Sequence, residues 1–106
     1  MSLSTHVLDA VLGAPAHGVP VRLERRGPAG WTLLAERVTG PDGRIADLST
    51  GLAAGSYRLV FDTGSYLGPE AFYPEVAITF QVSGAGQHYH VPLLLSPYAY
   101  STYRGS

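Results

Sequence analysis

Val76-Ala77-Ile78-Thr79-Phe80-Gln81-Val82 alternates without a break: Val76, Ile78, Phe80 and Val82 share one parity, and Ala77, Thr79 and Gln81 the other. Successive side chains of a strand point to opposite faces, whereas a helix repeats every 3.6 residues, so a period of two predicts a half-buried strand. The same pattern recurs upstream. Tyr57, Leu59 and Phe61 oppose Ser56, Arg58 and Asp62, while Val19, Val21 and Leu23 oppose Pro20, Arg22 and Glu24. Trp31, Leu33 and Ala35 form a further apolar face against Thr32, Leu34 and Glu36, and Gly27-Pro28-Ala29-Gly30 supplies the turn before it. Strands are also expected over Thr5 to Leu12 and Arg44 to Leu48. His88 to Arg104 reads as two more, separated near Ser96-Pro97. Seven or eight strands at regular spacing predict an all-β sandwich, with Thr63 to Tyr73 the one stretch suited to a short helix.

A length of 106 residues suits one domain over 1–106, with no room for a separate regulatory unit. Charged residues make up only 14% of the chain and hydrophobic residues 45%, with seven tyrosines. Such a protomer has an apolar, aromatic-rich exterior, which favours burial against copies of itself. A formal charge of −1 gives no footprint for a polyanion, so nucleic acid is not an expected partner. The uncharged stretch Gln87 to Tyr103 is broken by histidines and prolines, and no membrane span is expected. Met1 to His6 lacks the basic and apolar segments of a secretory signal, which makes a cytoplasmic location the expectation. The absence of cysteine removes disulfide and thiol chemistry from consideration.

His6 shares strand parity with Leu8, and His90 lies opposite the Val91/Leu93/Leu95 face, so His90 should point out of the core. Leu94 occupies that outer face as well, which is consistent with a second subunit covering it. Each histidine alone also fits an ordinary hydrogen-bonded strand residue. His88-x-His90 places two imidazoles on one face, a spacing open to metal chelation with His6 or His17, but no carboxylate or cysteine motif accompanies it. His17 reads as a loop residue. Arg44 follows Gly40-Pro41-Asp42-Gly43, where proline fixes φ and Asp-Gly permits positive φ, so a rigid turn presents its guanidinium fork to a carbonyl or carboxylate. There is no Gly-x-Ser-x-Gly elbow, no phosphate loop and no carboxylate pair.

Tyr98-Ala99-Tyr100-Ser101-Thr102-Tyr103-Arg104-Gly105-Ser106, following Leu94-Leu95-Ser96-Pro97, resembles the end of the 5-hydroxyisourate hydrolase family. Leu3-Ser4-Thr5-His6-Val7-Leu8-Asp9 is similar to that family's opening motif, Gly43-Arg44 to its turn and arginine, and His90-Val91-Pro92-Leu93-Leu94 to its late histidine. Tyr57-Arg58-Leu59 and Phe72-Tyr73-Pro74-Glu75 extend the resemblance over nearly the whole chain. Departures are a shortened segment between Asp62 and Tyr73, and Ala99 where many relatives carry glycine or another small residue.

The resemblance implies a transthyretin-like β-sandwich of two four-stranded sheets with one short helix. It implies a homotetramer with active sites in a channel between subunits. The implied reaction is hydrolysis of 5-hydroxyisourate to 2-oxo-4-hydroxy-4-carboxy-5-ureidoimidazoline in urate degradation, with no metal or cofactor. His6 and His90 are then expected to hold and deprotonate water, and Arg44 to bind a ring carbonyl and stabilise developing charge. Tyr103 and Ser106, the latter through its terminal carboxylate, are expected to position substrate or a histidine, and Arg104 to anchor the tail by ion pairing. Transthyretin, a carrier with the same fold, shares the Leu-Leu-Ser-Pro-Tyr stretch but lacks the histidines, the arginine and the Tyr-Arg-Gly-Ser end. A small-ligand carrier without catalysis is the alternative.

Overall fold

The structure, a computed structural model, describes residues 2–49, 51–83 and 87–105. In chain order it contains β1 (Ser2–Asp9), β2 (Ala14–Pro15), β3 (Pro20–Gly27), β4 (Gly30–Val38), β5 (Arg44–Ser49), β6 (Gly55–Phe61), α1 (Thr63–Leu67), β7 (Val76–Val82), β8 (His88–Ser96) and β9 (Ala99–Thr102). Two sheets face each other, as the transthyretin-like reading requires. One is antiparallel with order β4-β3-β6-β7. The other has β5, β1, β8 and β9 as its main strands, and the two-residue β2 extends it beside β5 on the same edge of β1.

The central pair of the second sheet, β1 and β8, is parallel, with Ser4 opposite His90, His6 opposite Pro92 and Leu8 opposite Leu94. Period two then sorts the side chains. Leu3, Val7 and Leu93 go inward and meet Leu23, Leu59 and Phe61 of the other sheet, all fully buried. Removing each such side chain from water contributes roughly 1.5–3 kcal/mol. Ser4, His6, Leu8, His90 and Leu94 share the opposite parity and form the outer face of the β1/β8 pair.

The β7 alternation is as the sequence predicts, with Val76 and Val82 buried and Ile78 and Phe80 packed against the core. The β4 face is not. A register shift sets Ala35 opposite Leu23 but Leu33 opposite Glu24, so Leu34 has no partner of its own and the parity flips. Trp31 consequently leaves the core side and lies opposite Arg26, with the Arg58 guanidinium 4.2 Å over its ring.

The expected helix in 63–73 is the single turn α1. Asp62 caps it, accepting from Ser65 N at 3.1 Å, and Gly68 ends it at φ +103. Pro69 follows immediately, which disfavours continuation. Tyr66 ties α1 to the end of β1 by donating to Asp9 Oδ2 at 2.8 Å. Among the described residues no helix is long and apolar enough to cross a membrane.

Candidate active site

Three strands bring the polar outer face together. His6 on β1 is in register with Arg44 on β5 on one side and with Pro92 on β8 on the other. His90 lies two residues before Pro92 on β8, so His6, Arg44 and His90 occupy neighbouring strands of one sheet face.

The turn before β5 fixes Arg44. Gly43 N donates to Gly40 O at 2.9 Å, Gly40 N to Arg44 O at 3.0 Å, and Arg44 N to Asp42 Oδ1 at 3.0 Å. Gly43 has φ +74, and a Cβ there would stand 2.4 Å from Val7 O, so both conformation and space call for glycine. Val7 N in turn donates to Gly43 O at 2.8 Å, which binds the turn to β1 directly beside His6.

His90 is half-buried. Burial holds its imidazole below the usual histidine value of 6.5, and Coulombic repulsion from the Arg44 guanidinium, and from the His6 and His88 rings in their charged forms, acts in the same direction. A hydrogen bond with the Ser4 backbone opposes them and does not win. The ring is therefore neutral near pH 7 and able to accept a proton, while Arg44 remains cationic at its side.

Ser4 and Gly105 complete the surroundings of His90. Ser4 Oγ lies 2.8 Å from His90 Nδ1 and 2.8 Å from His88 Nε2. Gly105 N donates to His90 O at 2.8 Å, bringing the tail against the imidazole. In the sequence neither carries more than a weak signal. Ser4 has the parity of His6, but only the parallel pairing of β1 with β8 sets it opposite His90. The two histidines expected to share a face do so, and Ser4 Oγ joins their rings. Among the described residues no group of three or more His, Asp or Glu side chains is gathered to hold a metal.

Tyr103 is 57% exposed and borders an open cleft on the flank of the sandwich, with Ile78, Phe80, Tyr89 and Thr102. Its hydroxyl has no hydrogen-bond partner among the described residues. Arg104, expected to anchor the tail by ion pairing, forms no ion pair among the described residues. It donates to Gln87 Oε1 at 3.0 Å and lies 4.7 Å over the Tyr89 ring. Ser106 lies outside the described residues. His17 sits exposed in the short turn that joins β2 to β3, outside the strands.

Residues 3–105 match the family model described as the HIUase/Transthyretin family. A 5-hydroxyisourate hydrolase of Salmonella dublin is 49% identical over 109 residues, covering 98% of this chain and 80% of that protein. The solved 5-hydroxyisourate hydrolase of Klebsiella pneumoniae superposes with a TM-score of 0.87 at 43% identity, covering all of both chains. Sea bream transthyretin in complex with thyroxine superposes at 0.91 with 36% identity, covering 99% of this chain and 95% of that one. Backbone shape thus fits hydrolase and transthyretin alike, whereas identity is higher to the hydrolases. With the match running through β1, the Gly43-Arg44 turn and the His90 strand, the chain belongs to the HIUase/Transthyretin family.

Proposed function

We propose that this chain is a 5-hydroxyisourate hydrolase of urate degradation, producing 2-oxo-4-hydroxy-4-carboxy-5-ureidoimidazoline. The observation that carries the reading is the placement of His6 in register with Arg44, with His90 on the adjoining strand of the same face. An amide carbonyl in a planar ring needs an activated water, a cation where its oxygen gains charge, and a proton for the departing nitrogen. Two imidazoles and one guanidinium meet those needs.

In the proposed cycle, water is held between His6 and His90 and loses a proton to His90 as its oxygen bonds to the ring carbonyl carbon. Arg44 stabilises the resulting oxyanion, a role worth about 10²–10³ in rate where single donors have been removed from such sites. The C–N bond then breaks, and the proton returns to the nitrogen. General base catalysis of this kind contributes about 10²–10⁴. Tyr103 and Ser106 are assigned to substrate positioning, and neither a metal nor a cofactor enters the proposal.

A homotetramer with sites between subunits belongs to the same reading. Three concave regions of the protomer, beside Arg22 and Arg37, beside Tyr66 and Leu67, and beside Phe80 and Thr102, are lined by residues other than His6, Arg44 and His90. His6, Arg44 and His90 stand on the outer face of their sheet, which gains walls once a second copy faces it. The edge strand β9, exposed along its whole length, and the exposed Val11, Leu12 and Tyr98 supply surface for such contacts. Cytoplasmic residence is also part of the proposal, to be checked by cell fractionation.

The carrier alternative is favoured by one observation, the close superposition on thyroxine-bound transthyretin. Ultraviolet decay of freshly generated 5-hydroxyisourate, followed in buffer containing a chelator, separates the two. Fast decay with wild type that is lost in Arg44→Ala supports the hydrolase. Decay no faster than background, together with saturable binding of an aromatic ligand, supports the carrier.

A further inference from the structure

Ser4 Oγ stands between two imidazoles, 2.8 Å from His88 Nε2 and 2.8 Å from His90 Nδ1, and Ser2 Oγ lies 2.5 Å from His88 Nδ1. A hydroxyl carries one proton, so Ser4 donates to one ring and accepts from the other. The chain Ser2, His88, Ser4, His90 consequently has two polarities. In the first, His90 Nδ1–H donates to Ser4, Ser4 donates to His88 Nε2, and His88 Nδ1–H donates to Ser2, leaving a bare lone pair on His90 Nε2. In the second every bond is reversed, and His90 Nε2 carries hydrogen.

We propose that Ser4 and His88 form a proton relay for His90, in which Ser4 holds the ring in its base-competent tautomer and His88 receives the proton gained from water. The proposal rests on the reading of His90 as the water-activating base. As a water O–H bond breaks, its proton bonds to His90 Nε2. The Nδ1 proton of His90 passes to Ser4 Oγ, and the original hydroxyl proton of Ser4 passes to His88 Nε2. Ser4 ends as a neutral hydroxyl, His90 as a neutral ring protonated at Nε2, and the positive charge resides on His88. Reversal of the same shift returns the proton for the leaving nitrogen.

Electrostatics give the relay its direction. His90 is half-buried and faces Arg44 from β5, His6 from β1 and His88 on its own strand, while Gly105 of the tail brings no titratable side chain. A cation on His90 would be poorly hydrated and repelled by Arg44. His88 is exposed, so the same charge placed there is hydrated. Ser4 itself is only 9% exposed, and one ring would satisfy its hydroxyl. The pairing of β1 with β8, continuous from Ser2 to Asp9, does not depend on it.

The test compares wild type with Ser4→Ala, Ser4→Thr and His88→Phe. Ring ¹⁵N shifts without substrate read the tautomer. The kcat and KM against pH, and rates in H₂O/D₂O mixtures, read its use. Expected in wild type are a His90 ring protonated at Nδ1 and a bowed proton inventory. Ser4→Ala should move His90 toward the Nε2–H form, straighten the inventory and lower kcat about 10–100-fold, up to the lower limit of the range for full acid–base catalysis, with KM within about threefold. His88→Phe should show the same kinetic losses, and Ser4→Thr, which keeps the hydroxyl, should restore kcat to within about threefold of wild type. Turnover by wild type that survives Ser4→Ala with tautomer and inventory unchanged overturns the relay alone, as does Ser4→Thr as impaired as Ser4→Ala. Wild type without turnover overturns the hydrolase reading and the relay's catalytic use with it, and is recognised because its rate is measured first.

Discussion

Gly105 is pressed against the imidazole of His90: a Cβ built on it would meet His90 Cδ2 at 2.5 Å and Cγ at 3.2 Å, while Gly105 N donates to His90 O. The tail therefore acts as a wall behind the ring. Gly105 lacks the positive φ that would itself demand glycine, so the constraint is steric and falls on His90. Gly105→Ala is expected to turn that ring away from Ser4, lowering kcat about tenfold or more, as misplacing a catalytic group by about 1 Å does. Thermal stability should change by only a few degrees. Melting curves and ring ¹⁵N shifts check this, and an Ala variant with wild-type kcat and unmoved His90 shifts would count against it.

The cation beside His90 gives a prediction in pH. Burial, then Arg44, depress the His90 value below 6.5, so the neutral base persists as pH falls through 6.5 and is lost only lower. Removing one positive charge raises the value. Arg44→Gln should shift the His90 NMR titration upward, with burial retaining part of the depression. In wild type the acid limb of kcat/KM should have its midpoint below 6.5. His90 also makes stability depend on pH: the unfolded chain binds a proton at a pH where the folded ring remains neutral, so folding weakens as pH falls through this window. A titration unmoved in Arg44→Gln would show that the two groups do not sense each other.

Much of the fold was legible because it rests on local parity. Val76 to Val82, Tyr57 to Phe61 and the inward face of β8 are half-buried strands, for which a period of two is sufficient. Trp31 and Leu33 were not, because an unpaired residue at Leu34 inverts the faces, and nothing in that alternation marks a bulge. The outward direction of His90 followed from parity too. Its partners did not. Ser4 meets His90 through a parallel pairing of strands more than eighty residues apart, and Gly105 through the course of the tail, neither of which local periodicity encodes. The resemblance to hydrolases supplied His6, Arg44 and His90 as a set, and the register gives that set its physical form.

The Gly43 turn makes Arg44 sensitive to a remote methyl group. Gly43→Ala introduces a Cβ 2.4 Å from Val7 O and 3.0 Å from Pro15 Cβ at a φ of +74, so backbone must move. Strain of this kind costs about 2–4 kcal/mol, at the upper end for single substitutions. The Val7 N to Gly43 O bond and the His6 to Arg44 register should be lost together. Denaturant unfolding and kcat measured on the folded fraction test it. A fall in stability with kcat intact would mean that Arg44 does not depend on this turn.

Asp9 offers the converse case, a buried acid outside the proposed chemistry. Its Oδ1 accepts from Val11 N at 2.9 Å and Leu12 N at 3.0 Å, and its Oδ2 from the Tyr66 hydroxyl at 2.8 Å. Burial pushes the carboxyl up, but the bonds from Leu12, Tyr66 and Val11 together outweigh it and leave the value below 3.8. The same contact raises the Tyr66 phenol, through burial and then through the Asp9 carboxylate. Because the folded value of Asp9 is the lower one, its contribution is present in full above the unfolded value and disappears as pH falls through the folded value. Asp9→Asn should therefore cost about 1–3 kcal/mol near pH 7, the penalty for a broken buried hydrogen-bond set, and less in strong acid. Tyr66→Phe should cost about 0.5–1.5 kcal/mol, one bond's net worth, and the double variant less than the sum, since the two share that bond. Urea unfolding at pH 7 and pH 3 measures all three differences. A penalty equal at both pH values would mean that ionised Asp9 is not the acceptor. Turnover per folded molecule should stay at the wild-type level, because this turn ties β1 to α1 at the end of the sheet and touches none of His6, Arg44 and His90.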